Sequence, residues 1–560
     1  MINKLSNLKS IFLIFVFIGF FGLAKSSQAS SIWYAAPSGS GSTCTKPSPC
    51  ALAGAITKAT VGDTIYLATG TYSGTSYTIS KALTITADPD DIVANLTFSP
   101  KGVITSTDTR PRFNGASGTP TFIISAANTT LAYLNIKGSP SGWDDNGPTG
   151  VVSVEAYPAT IDHSEIWNGG MLIMVRVNRQ VTITNNHLHN TSHWLTWPFP
   201  GKAYGSVDVH GIQITGYGTT DSTLAANYGE GIQIKNNTIH DIGGNGIQEN
   251  TACYACTPQH YPCSSGDTHK HVQYLTIDNN EIYNTAKQNW DSKGTSYVIF
   301  SNNKSWFDHA TWTNTDVDYG HVAINSPNDC NWTQMNNWEI FNNVFYGSAR
   351  YVAYPNCSNG SCCSNIHTYN NLMFNNNLDI SGTGYADDPV FKMCGDAGST
   401  FYGNTMVNNI GPNQTGGLET AGSGNNVKNN IFMNNGQDGD ISAHCYNCNS
   451  NSGTPDHNYF LSTDPTGRTR GTNAITTCFA SGNCAGFINF PNINQLLLDF
   501  NLLTGSPAKD AGTTLVSPYN VDIAGVSRPQ GSAFDIGAYE YAGGVSDATP
   551  PAAPSGLSVN

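Results

Sequence analysis

The sequence predicts an all-β chain wound as a right-handed parallel β-helix, a solenoid of stacked coils. Three observations predict it. An eight-residue phrase carrying an Asn pair recurs along the chain. A second strand phrase falls between its copies. The composition supplies turn formers and is short of helix formers.

The recurring phrase runs apolar, any, apolar, any, Asn-Asn, any, apolar. Its copies are VTITNNHL (181–188), IQIKNNTI (232–239), LTIDNNEI (275–282), VIFSNNKS (298–305) and WEIFNNVF (338–345). Weaker copies lie at 366–374, 400–407 and 426–432. A spacing of roughly 20–45 residues between copies marks a repeat array. Alternating apolar residues turn one strand face inward. The Asn pair then bends the chain, because Asn tolerates left-handed backbone angles and bonds its own backbone. Stacked Asn side chains can also form hydrogen-bonded ladders. One such coil cannot bury its own core, so it must stack on neighbours.

The second phrase reads GIQI (211–214), GIQE (246–249), WDSK (290–293) and HVAI (321–324). Residues 150–153, 170–173 and 350–353 fit it less well. Two or three strands per coil suit a parallel β-helix, whereas a propeller blade needs four.

Charged residues make up only 11% of the 560, and Gly, Asn, Ser and Thr abound, which fits many short strands and tight turns. The formal net charge of −14 argues against a nucleic-acid partner, whose phosphates need a basic face. An anionic polysaccharide stays open, since bound Ca²⁺ or a local basic cluster can reverse the sign inside a cleft.

Residues 1–29 read as a signal peptide: Lys4 and Lys9, an apolar run over 11–24, then small residues at 27–29. The apolar run is short for a membrane span, although a retained anchor is the alternative. The 14 cysteines then favour disulfides in an oxidising compartment, with Cys44/Cys50, Cys253/Cys256, Cys445/Cys448 and Cys478/Cys484 as close pairs. Cys253, Cys256, Cys263 and His260 offer a zinc-type set, but no clean second half lies nearby. Residues 30–541 are expected to form the β-helix with its closing segment. Residues 542–560 read as a Pro/Gly/Ser linker running into the start of a fibronectin type III-like strand. No later segment suggests a membrane span and no oligomer signal stands out, so a secreted monomer is expected.

Both ends of the expected helix resemble known families. Residues 33–39 (WYAAPSG) and 55–72 (AITKATVGDTIYLATGTY) look like the opening of pectate-lyase-like β-helix proteins. That resemblance implies a short N-terminal capping helix followed by entry into the first coil. Residues 506–512 (SPAKDAG), Asp522, Arg528-Pro529 and 535–540 (DIGAYE) resemble the closing segment of secreted bacterial right-handed β-helix repeat proteins. The resemblance covers nearly all of the mature chain. It is specific for fold and weak for reaction, because this fold carries lyases, hydrolases and adhesins.

Aligning the second phrase puts Gly211, Gly246 and Trp290 in one column and Ile214, Glu249 and Lys293 in another, with Asp291 two residues before Lys293. Coils lie about 4.8 Å apart, so Glu249 and Lys293 are expected to touch. A slip of one residue would turn every side chain to the other face. Asp208, His210, Glu230, His321 and Arg350 fall on or near the same ridge. Residues 290–294 (WDSKG) are similar to the Asp-x-Lys strand of several polysaccharide lyases of this fold. The resemblance implies a Lys or Arg base, often beside Ca²⁺ held by carboxylates.

On that reading Lys293 is the base for β-elimination on a uronic acid, with Asp291, Glu249 and His210 in the catalytic group. Asp208, Glu230, Glu249 and Asp291 are the Ca²⁺ candidates, although they form no tight acidic cluster in the sequence. Arg350 would meet the substrate carboxylate, His321 would contact the sugar, and Trp194, Trp197 and Trp290 would line a groove. Trp306, Trp312 and Trp332 also fall in or beside expected loops. Glu249 and Lys293 could equally form a plain cross-coil ion pair.

The expected function is an extracellular enzyme that degrades a polysaccharide, with a lyase favoured. The alternatives are a β-helix glycoside hydrolase and a non-catalytic adhesin or carbohydrate-binding protein. Residues 314–316 (NTD), Asp318 and Gly320-His321 resemble pieces of polygalacturonases, but the spacing is too short and the paired Asp is missing nearby. A hydrolase would need two carboxyl groups across the scissile bond, and Asp291 with Glu249 could serve.

Overall fold

The computed structural model describes residues 30–73, 76–92, 103, 108–116, 118–139, 150–191, 209–215, 225–250, 272–307, 320–325, 335–348, 350–356, 363–376, 389–393, 398–409, 417–420, 424–435, 441–442, 454–460, 472–480, 483–488 and 500–543. Among them three long sheets of 14, 13 and 12 strands run the length of the molecule. Successive coils give one strand to each sheet. In one coil Val181–Thr184 joins the 14-stranded sheet, His187–His189 the 13-stranded sheet and Ile212–Ile214 the 12-stranded sheet. The next coil repeats this with Ile232–Lys235, Thr238–Ile242 and Ile247–Asn250. The strands in each sheet pair in parallel, so the fold is a parallel β-helix.

The recurring phrase forms the corner between the 14- and 13-stranded sheets. That corner is always two residues long where the Asn pair occurs, as between Gln273–Asp278 and Glu281–Thr285. Its first residue is left-handed: Asn185, Asn236, Asn279, Asn302 and Asn342 have φ of 52 to 56°. Gly403 and His457 take the same place with φ of 60° and 49°. Asn carries this backbone at low cost because its short polar side chain bonds locally.

The second Asn of each pair points inward and joins a buried ladder. It runs through Asn186, Asn237, Asn280, Asn303, Asn343, Asn371, Asn404, Asn430 and Asn458. Each member's amide also donates to a backbone carbonyl of the preceding coil, as Asn237 does to Ile183 at 2.9 Å.

Inside, aliphatic and aromatic columns stack without exposure, among them Ile183, Ile234, Ile277, Phe300 and Ile340. The helix Leu52–Lys58 buries Leu52, Ala55 and Ile56 in the same apolar cluster as the first strands. Disulfides join Cys44 to Cys50 and Cys478 to Cys484. Among the described residues no helix is long and apolar enough to cross a membrane.

The last described segment folds back on the flank of the final coils. Phe487, Phe500, Leu502, Ile536 and Ala538 cover Leu372, Val407, Ile431 and Met433 of the 13-stranded sheet. A buried polar knot holds it. Arg528 donates to the carbonyls of Asp535 and Gly537 at 3.0 and 2.8 Å. Glu540 accepts the N–H groups of Gln530 and Asp535, and Asp522 accepts that of Glu540. Burial lowers the Arg528 pKa against the pull of Glu540, Asp522 and Asp535.

Candidate functional site

The variable positions of the second phrase form an outward row on the 12-stranded sheet. Gln213, Gln248 and Asp291 are direct register partners, followed by Ala323 and Tyr354. The Gln213 amide donates to Gln248 at 3.0 Å, and the Gln248 amide donates to Asp291 Oδ2 at 3.3 Å. Asn245 donates to the same oxygen at 3.2 Å. Lys293 Nζ stands 3.4 Å from it. Further along the row Lys392 pairs with Glu419 at 3.2 Å and lies over the Tyr354 ring. Beside this row runs a second, with Arg176, Thr215, Asn250, Lys293 and Asn325 on consecutive coils. The connections entering and leaving this sheet include residues 190–211, 251–272 and 307–321, the long segments of the chain.

The structure shifts the sequence alignment by one residue at 290–293 and at 150–153, and by two at 170–173 and 350–353. Gly211 and Gly246 align with Asn289, not with Trp290, and Glu249 aligns with Ser292. Trp290 therefore replaces Ile247 in the inward column. It is 0% exposed and stacks on Phe300 and Trp338 at 5.1 and 4.9 Å, so it is a core residue and cannot line a groove.

Glu249 also faces inward and is 0% exposed. Its carboxylate accepts Ser292 Oγ at 3.1 Å, the Lys293 backbone N–H at 2.9 Å and the Thr295 hydroxyl. It meets the backbone of Lys293, while the Lys293 ammonium meets Asp291. The expected catalytic pairing of Glu249 with Lys293 is replaced by Asp291 with Lys293.

The remaining expected residues scatter. His210 is buried at the entry to its strand and accepts the Asn245 N–H at 3.1 Å. His321 is buried in line with Asn289, bonded to Ser305 at 2.7 Å and Asn376 at 2.9 Å. Neither reaches the outer row. Arg350 is half-buried over the Tyr351 ring, six residues before Asn356, the position two coils on from Lys293. Glu230 opens the 14-stranded sheet, 3.5 Å from Arg179. Asp208, Trp194, Trp197, Trp312, Trp332, Cys253, Cys256, Cys263 and His260 lie outside the described residues, as do residues 1–29, read as a signal peptide, and 544–560 of the expected linker.

The calcium set expected from the resemblance does not assemble among the described residues. Glu249 is inside and Glu230 is on another sheet. Asp291 is ringed by amide and ammonium donors, which compete with a cation for its oxygen. These residues do not fit a Ca²⁺ ion, whose site needs six to eight converging oxygens.

One group with metal-ligating chemistry does converge, on the outer face of the 13-stranded sheet: His187, His189 and His240. Burial first, then the neighbouring positive groups His189, His240 and Arg110, hold His187 well below the ordinary histidine range. Burial also lowers His240, outweighing the pull of Asp241. His189 and His240 lie in a longer outward stack, from Trp167 through Tyr283, Trp306 and Tyr346 to Phe374, and the His187 ring packs beside both.

Sequence reasoning missed Gln213, Gln248 and Asn245. The signal was present in the variable position of GIQI and GIQE. Such a position faces outward if the flanking apolar residues face in.

No family model and no curated protein sequence matches the chain. Among solved structures the chain is similar to pectate lyase Pel9A at 13% identity and a TM-score of 0.37, over 92% of this chain and 97% of that one. It is also similar to PfbA, a surface adhesin of Streptococcus pneumoniae, at 13% identity and a TM-score of 0.46, over 69% and 85% of the two chains. XylC in complex with xylose is similar at 10% identity and a TM-score of 0.44, over 91% and 98%.

Proposed function

We propose that the chain is a secreted enzyme that cleaves a uronic-acid polysaccharide by β-elimination along the outer face of the 12-stranded sheet. The observation that carries this reading is the Lys293–Asp291 pair, 3.4 Å apart across two adjoining rows and beside the amides of Asn245 and Gln248. Lys293, once it has given its own proton to solvent and stands as the neutral amine, takes the proton at C5 of the sugar. The electron pair forms the C4–C5 double bond as the C4–O4 bond breaks, and O4 leaves with a proton from solvent. Asp291 fixes the Lys293 side chain, and the buried amides of Asn245 and Gln248, which donate to Asp291, with Gln213 behind Gln248, hold that carboxylate in place. Arg176, 3.9 Å from Glu155, lies three coils away in the same row as Lys293, roughly 14 Å at 4.8 Å per coil, where it could meet a carboxylate further along a bound polysaccharide. No step in this reading passes through a calcium ion.

The test is to mix the mature protein with a panel of uronic-acid polysaccharides. The readouts are the ultraviolet absorbance of the unsaturated product and, in parallel, new reducing ends. Rising absorbance that Lys293→Ala abolishes supports the reading. Reducing ends without absorbance mean hydrolysis by carboxylates. Neither signal means a non-catalytic surface protein.

A further inference from the structure

We infer that His187, His189 and His240 form a binding site for a divalent transition metal of the zinc class, on a different sheet from the proposed cleavage face. His187 and His189 alternate outward on the strand His187–His189, and His240 is the register partner of His189 on the next coil. One ring nitrogen from each lies within 4.8 Å of the others. His187 Nε2 and His240 Nε2 approach to 2.8 Å, and His189 Nε2 lies 3.0 Å from Glu165 Oε1. A tetrahedron with metal–nitrogen bonds of about 2.0–2.1 Å has edges of roughly 3.3 Å; the His187 and His240 nitrogens stand inside that spacing at 2.8 Å, and a His189 nitrogen lies within 4.8 Å of both. The rings are stacked, with interplanar angles of 26°, 30° and 8°, so binding a metal requires the side chains to turn out of the stack until their in-plane lone pairs meet at one point.

The surroundings hold these groups as outer carboxylates hold metal-bound histidines. Asp241 accepts from His240 Nδ1 at 2.8 Å. A carboxylate only accepts, so Nδ1 carries the proton and Nε2 presents its lone pair to the cluster. Glu165 is anchored from behind by Arg110 and Asn135, each 2.7 Å from Oε2, and Arg110 is almost fully buried. Its other oxygen, Oε1, faces His189 and stands 3.9 Å from His187 Nδ1. With metal on His187 Nε2, the His187 proton moves to Nδ1 and points at that oxygen, so each outer carboxylate serves an imidazole. Trp167 and Tyr283 wall the two ends, with ring centroids 6.0 Å from His189 and 4.7 Å from His240. Imidazole donors in this number select zinc-class ions over the oxygen-seeking Ca²⁺ and Mg²⁺. A bound ion would cross-link two successive coils.

The test uses the full mature chain without a histidine tag, stripped with chelator. Zn²⁺ is titrated by calorimetry, and Co²⁺ is followed by visible absorption. The expected result is one equivalent of Zn²⁺ bound, and Co²⁺ bands without thiolate charge transfer. His187→Ala with His240→Ala should abolish this binding, while the unfolding midpoint in chelator stays near that of the parent. Asp241→Asn, a gentler change, should weaken binding by roughly 10–100-fold. The inference fails if the stripped protein binds no Zn²⁺. It also fails if the double variant keeps its stoichiometry, or if the Co²⁺ spectrum is that of thiolate ligands. Polysaccharide cleavage is read separately, so failure of either proposal is visible without the other.

Discussion

The side-chain oxygen of Asn280 receives two hydrogen bonds from Asn237, at 2.9 Å from its backbone N–H and 3.0 Å from its amide. The Asn280 amide then donates to Ile234 O and to Asn303. Asn280→Ala orphans buried groups on two neighbouring coils and should cost about 2–4 kcal/mol. Asn279→Gly, at the exposed left-handed position one residue earlier, should change stability far less. Denaturant midpoints of the two variants, measured side by side, check this.

Glu249 and Asp291 are both buried or nearly so, yet they face opposite ways, and their variants should separate. Glu249→Gln keeps the shape inside the coil and should preserve polysaccharide cleavage, with its effect confined to thermal stability. Asp291→Asn frees the Lys293 ammonium and should lower turnover at least tenfold while the unfolding midpoint moves little. Equal loss of activity in both variants would mean that the outer row is not where the reaction occurs.

Removing Trp290 should cost stability in the manner of a core aromatic. Trp290→Ala leaves a cavity against Phe300 and Trp338 and should destabilise by about 3–5 kcal/mol. Any folded protein should retain its affinity for polysaccharide, measured by binding at a temperature below the transition.

Glu339, on the outer face of the 14-stranded sheet, gives a pH dependence. Burial raises its carboxyl from 4.5 to about 7, against a hydrogen bond from Tyr369 that lowers it. Between those two values the folded chain holds more protons than the unfolded one, so stability falls as pH rises through the window. The contribution is fully present below 4.5 and lost above about 7. Thermal midpoints followed across this range should decline, and Glu339→Gln should flatten the decline.

Arg528 should anchor the closing segment. Arg528→Ala would leave Asp522, Asp535 and Glu540 without their buried cation and should cost about 3–5 kcal/mol. Limited proteolysis near residues 500–541 would report the release of this segment.

The fold was legible because its decisive residues repeat at a corner that keeps two residues wherever the Asn pair occurs. The two-residue turn leaves no freedom in register, so NNHL, NNTI and NNEI announce the same bend each time. The site was less legible because its evidence lies in three-residue strands between connections of unequal length. Strict alternation would have turned Trp290 inward and both Asp291 and Lys293 outward. Glu249 obeys alternation but breaks the rule of apolar residues inside: it sits where the preceding coil has Ile214, and nothing local signals that Ser292 and Thr295 would solvate a carboxylate there. The His cluster depends on a pairing across 53 positions between His187 and His240, which no short motif reveals.

From residue 133 to residue 458 this corner keeps its two residues, which confines insertion and deletion in those coils to the other two bends, whereas in the first coils the same corner spans residues 68–70 and 88–111. Genes for such a chain can lengthen, trade or discard the segments bordering the 12-stranded sheet while the amide column holds the scaffold in phase. Specificity can thus diversify by grafting at those borders, whereas one residue added between Asn185 and Asn186 would throw the following strand out of step.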